Sequence, residues 1–166
     1  MGNVVFFDWI RICLIAILVY LAYFDLRTFR LPNIITLPLI LLGLLFNGLA
    51  DQGFISFQDA IIGATLGYAC LWLLNRLYRI VKKQDGIGMG DAKLLAALGA
   101  WLGWLALPSI LLMSSLTGLI GGIIWLQWNK QDHRSAFPFG PFLAIAGIIE
   151  LLWPQTLQIL LLSKPA

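Results

Sequence analysis

The 166-residue chain is 60% hydrophobic and only 11% charged, with a mean hydropathy of +0.89. A soluble globular domain averages about 45–50% apolar and about 25% charged, so this composition excludes the soluble classes and puts the chain in a bilayer. The net charge of +3 says little about partners. No nucleic-acid partner is expected, and the basic residues are better read for orientation. Cys13 and Cys70 lie inside apolar runs without a CxxC pair, so neither a disulfide framework nor a zinc site is indicated.

A membrane-crossing helix needs about 20 mostly apolar residues. The first such run is Val4–Phe24. Asp8 and Arg11 interrupt its start, no basic segment precedes it and no small-residue cleavage site follows, so it reads as a retained helix and not a signal peptide. Asp25–Asn33 is the first polar break; Pro32 pushes Leu31 out of helical geometry, and Asn33 is expected to N-cap the next helix. The second span is Ile34–Leu49, followed by a polar loop over Ala50–Gln58. The third, Ala60–Leu77, runs out into Arg76, Arg79, Lys82 and Lys83. The fourth covers Ala92–Leu107 and stops before Pro108; the fifth covers Ser109–Trp128, where Gly118, Gly121 and Gly122 favour close helix approach. After the polar stretch Asn129–Pro138, the sixth runs from Phe139 to Trp153, leaving Gln155–Ala166 as an interfacial tail. The expected fold is therefore all-α, a six-span transmembrane bundle forming one domain over residues 1–166.

Lysine and arginine set the orientation. The odd-numbered breaks hold Arg27 and Arg30, then Arg79, Lys82 and Lys83, then Lys130 and Arg134, whereas breaks two and four hold none. By the positive-inside rule the odd breaks are cytoplasmic and both termini lie outside. Asp25, Asp91 and the Pro138-Phe139-Gly140-Pro141 turn then share the cytoplasmic boundary.

Two aspartates at the ends of different helices can perform acid–base chemistry. Close like charges cannot both ionise, so one carboxyl keeps its proton. The ionised partner then takes a proton from water while the protonated one polarises a carbonyl. Gly88 and Gly90 flank Asp91 and, lacking Cβ atoms, would let a substrate backbone come close. Each aspartate also has an ordinary reading, Asp91 as a helix N-cap and Asp25 as an interfacial residue paired with Arg27.

Gly88-Met89-Gly90-Asp91-Ala92-Lys93-Leu94 resembles the GxGD signature of intramembrane aspartyl proteases, specifically the type IV prepilin peptidases. Asp25–Asn33, with its Leu-Pro-Asn, resembles that family's first aspartate motif. Asp59–Ala64, Leu94–Trp104 and Pro138–Ala144 are similar to the family as well. The resemblance implies Asp25 and Asp91 as the catalytic pair, with Gly88, Gly90, Lys93, Pro138, Phe139, Gly140 and Pro141 binding substrate or shaping the site. It implies a bacterial inner-membrane endopeptidase with its site facing the cytoplasm and lipids around it. Its substrates would be prepilins, or the pilin-like subunits of type II secretion, cut after a glycine that ends a short basic leader. No metal or organic cofactor is needed. The chain resembles the short form without the N-terminal cysteine-containing segment, which argues against N-methyltransferase activity.

Other polar residues draw weaker expectations. His133 reads as a solvated loop residue, and Arg27 and Arg30 as contacts for anionic headgroups. Lys93 either tunes the dyad or snorkels to the headgroups. Glu150, an acid within the sixth span, is expected to serve at the interface or in helix pairing. The alternative from another class is a small ion or proton transporter that uses the same two aspartates; it would call for an inverted repeat or interrupted helices, and no repeat is visible.

Overall fold

The computed structural model describes residues 2–49, 53–83, 88–129 and 138–154. Among these the chain forms α1 (Gly2–Thr28), α2 (Asn33–Leu49), α3 (Phe57–Lys82), α4 (Met89–Leu102), α5 (Leu107–Asn129) and α6 (Gly140–Leu152), with a 3-10 turn at Trp104–Ala106 and no strand. Helices are the expected solution in lipid, because each closes its own backbone hydrogen bonds. Three segments, Phe6–Thr28, Phe57–Lys82 and Trp104–Ile124, are long and apolar enough to cross a membrane, and α2 and α6 are shorter apolar helices. The outer surface is correspondingly greasy, with Ile34, Leu41, Leu116 and Leu119 among its exposed side chains. The protein is an all-α polytopic membrane protein. His133, Lys130, Arg134 and the tail Gln155–Ala166 lie outside the described residues.

The helix ends depart from the apolar runs, because a polar side chain does not by itself break a backbone ladder. α1 continues past Phe24 to Thr28, so Asp25 sits in its last turn and not beyond it. Thr28 Oγ1 donates to the Phe24 carbonyl, and the helix ends where Phe29 takes φ +53°, a left-handed conformation that is costly for an aromatic residue. α2 begins at Asn33 itself, with the Pro32 carbonyl accepting from Ile35 and Thr36, so Asn33 is in the first turn and its side chain is free for another task. Ser56 caps α3, its hydroxyl accepting from the Asp59 N–H, which starts that helix three residues before Ala60. The fourth span ends at Leu102 because Gly103 adopts φ +85°. Pro108 is no terminator; it lies in the first turn of α5, where its missing N–H leaves nothing unpaired.

α4 is the centre of the bundle, with Ala92 and every residue from Leu94 to Trp101 buried. It packs most extensively on α3, antiparallel, backbone against backbone. A Cβ on Gly63 would strike the Gly99 carbonyl, one on Gly99 would strike that of Gly63, and one on Gly67 would lie 2.7 Å from the Leu95 oxygen. Against α2, Trp101 donates its indole N–H to the Leu39 carbonyl at 2.9 Å, in space that Gly43 leaves open. The buried Asn47 donates to Ala100 O at 2.9 Å and to Gly43 O at 3.1 Å, and accepts from Ile55 N–H at 3.2 Å. α1 lies on α6, and α6 on α5. α1 and α2 meet through side chains, the Phe7 ring edge-on to Phe46 at 6.2 Å between centroids, and beside this contact runs an apolar groove of about 230 Å³, walled by Cys13, Leu14, Ile17, Leu39 and Leu42 with Trp101 at its floor.

Candidate active site

Asp25 and Asp91 come from opposite ends of the chain's logic, one in the last turn of α1 and the other in the first turn of α4. Both are buried, at 4% and 8% exposure, and their carboxyls lie within electrostatic reach of each other. Burial excludes the solvated reading of Asp25. Arg27 does not pair with it either; its guanidinium sits over the Tyr23 ring, 5.4 Å from the centroid.

The Asp25 carboxylate is held by α6. The Gly140 N–H donates to its Oδ2 at 3.2 Å. The first N–H groups of a helix have no partner within it and carry the positive end of its dipole, so Asp25 caps α6 from outside. The local sequence explains why this works. A Cβ on Gly140 would lie 2.6 Å from the Asp25 Oδ2, and Pro141 adds no N–H that would need a partner of its own. Pro138 is buried ahead of the turn, and Phe139 opens the helix by accepting from Phe142 and Leu143.

Asp91 is the third residue after the α4 N-cap, Gly88, so it is not the cap that its position first suggested. Its N–H donates to the Gly88 carbonyl, and Gly88 remains exposed, with a Cβ position 3.3 Å from the Asp91 Oδ2. Gly90 has a different employment. A Cβ there would come within 2.9 Å of the Leu31 Cβ, so this glycine admits the α1–α2 connector. The Lys93 ammonium donates to Asn33 Oδ1 at 2.7 Å, tying the first turn of α2 to the first turn of α4.

Two buried amides and the pairing of two glycines escaped the reading of the sequence. Asn47 and Asn75 are buried amides in apolar runs, and such residues signal internal partners; Asn75 Nδ2 reaches Met89 Sδ at 3.9 Å, beside the GxGD segment. Gly63 and Gly67 stand four apart, the spacing of helix-pairing glycines, and they seat the helix that carries Asp91. Glu150 is resolved as a helix-pairing residue and not an interfacial one: it is 2% exposed and accepts from the Ser109 hydroxyl on α5 at 2.7 Å.

Fold and site together define a polytopic membrane protein with two aspartates buried between helix ends. Its family follows from comparison with known proteins. Residues 12–123 match the model of the Type IV leader peptidase family, and the chain belongs to that family. It is 50% identical over 141 residues to a prepilin leader peptidase/N-methyltransferase of Aeromonas hydrophila, covering 85% of this chain and 48% of that protein. Proteins of the same name from Pseudomonas aeruginosa and Neisseria gonorrhoeae are 48% and 46% identical, over 74% and 86% of this chain and 42% and 49% of theirs. The chain spans about half the length of these curated relatives. No solved structure matches it.

Proposed function

We propose that the chain is an aspartyl endopeptidase that removes the basic leader from prepilins or pilin-like type II secretion subunits. The observation that carries this reading is the pair of buried carboxyls, Asp25 and Asp91, delivered by separate helices into one electrostatic neighbourhood. Carboxyls that feel each other's charge in a buried setting do not both ionise, so one keeps its proton. The ionised one draws a proton from water, and the protonated one polarises the scissile carbonyl. The family match and the prepilin peptidase names of its relatives support the substrate class. The proposal does not extend to N-methyl transfer.

The site faces the cytoplasm of a bacterial inner membrane, with both termini outside, as the arginines and lysines of the odd-numbered breaks favour. The residues matched by the family model lie within a single catalytic core. Gly88 stands exposed beside Asp91, where a substrate backbone can approach, and the Pro138–Pro141 turn shapes the opposite wall. A transporter using the same aspartates has no comparable support.

The test is cleavage of a purified prepilin by the protein in lipid. Asp25→Asn and Asp91→Asn should each reduce it to background while leaving the thermal melt intact. Cleavage undiminished in both variants would end the reading.

A further inference from the structure

Glu150 is a buried acid with no place in the proposed chemistry. It lies ten residues along α6 from Gly140, about 15 Å at 1.5 Å per residue. Its carboxylate accepts from Ser109 near the start of α5. Toward the other end of the same helix pair, the Phe139 ring lies over Gly118, and Phe142 fills the notch at Gly121. A Cβ on Gly118 would meet the Phe139 ring at 3.2 Å, and one on Gly121 would overlap that of Phe142. These contacts share one antiparallel register, in which Ser109 faces Glu150 and Gly121 faces Phe142. α6 is therefore fixed along α5 at two separated points, and its first N–H meets Asp25.

We propose that Glu150 is a positioning residue for Asp25, acting through the α5–α6 register. Sliding α6 by a fraction of a turn would withdraw the Gly140 N–H from the Asp25 Oδ2 or drive its Cα into the carboxylate. A polar pair is suited to this task in an apolar bundle. Leucine-like surfaces pack almost equally well at several registers, whereas a hydroxyl and a carboxyl satisfy each other at one. The Gly121–Phe142 notch fixes the same register sterically. This inference rests on the peptidase reading.

The experiment compares Glu150→Leu, Glu150→Gln and Gly121→Ala with the unmodified protein in lipid, measuring kcat and KM for a prepilin together with the thermal melt. Glutamine keeps an acceptor for Ser109 and should retain kcat within about twofold. Glu150→Leu and Gly121→Ala should lower kcat roughly tenfold at unchanged KM, the size of loss that a misplaced reacting group produces. A second change, Phe142→Leu, should restore kcat in Gly121→Ala by vacating the notch. Wild-type kcat in both Glu150→Leu and Gly121→Ala would overturn the proposal. So would equal loss in Glu150→Gln and Glu150→Leu, which would assign the effect to the charge, and so would failure of Phe142→Leu to rescue. If instead the unmodified protein does not cleave, or cleaves without Asp25 and Asp91, it is the peptidase reading that fails.

Discussion

The two sides of the dyad are built differently. Asp91 rides on α4, which is pressed against α3 with glycine on both faces, so that carbonyl groups of one helix rest on the backbone of the other. Asp25 rides on α1, which leans on α6 but leaves a groove where it passes α2. Without a hydrophobic drive between helices in lipid, close backbone contact is the main source of association. The α3–α4 seam is accordingly a fixed wall, whereas α1 has its closest backbone neighbour in α6 and meets the rest of the bundle through side chains such as Leu14, Leu18 and Phe7. One carboxyl is set by the scaffold, and the other by a helix N-terminus that reaches it.

This contrast can be broken or sharpened by substitution. The largest effect is expected at the seam. Gly99→Val drives its new atoms into the α3 backbone at Gly63 and Ala64, which cannot yield as a side chain would, and the cost should exceed about 3 kcal/mol, above the usual range for overpacking. Loss of the folded species in detergent, seen by size-exclusion and thermal melting, is the readout. Asn47→Leu should cost about 1–3 kcal/mol, because Ala100 O and Ile55 N–H lose their partner in a buried setting. The smallest effect is expected in the groove, where Leu42→Trp adds bulk to open space and should move stability within about 0.5 kcal/mol. A melt lowered as much by Leu42→Trp as by Gly99→Val would show that α1 and α2 form a packed interface after all.

Much of the fold was legible as apolar runs, because a span must be greasy over a length that the bilayer dictates. Their ends were not. Asp25 lies inside α1 because hydrogen bonding continued to Thr28, and Gly103, not Pro108, closed α4 through its backbone conformation. The aspartates stood out because charge is rare in such a chain. What surrounds them was harder to see. Gly90 looked like an opening for substrate and is instead filled by Leu31, and Lys93 carries a link to Asn33 that its own segment does not announce. Both are contacts between segments far apart in the chain, and no local pattern encodes their partner. The Gly63–Gly67 spacing did encode one, and it was the signal for the seam.

The antiparallel register of that seam fixes how deep the dyad sits. Gly63 lies against Gly99 and Gly67 against Leu95, which sets Asp91 level with Leu71. α3 runs on for eleven more residues to Lys82, about 16 Å at 1.5 Å per residue. Asp91 is thus countersunk below the end of its neighbour, and its helix can be short because surrounding helices, not lipid, enclose it. On the α3 side, helix length alone thus raises a wall about three turns high beside Asp91.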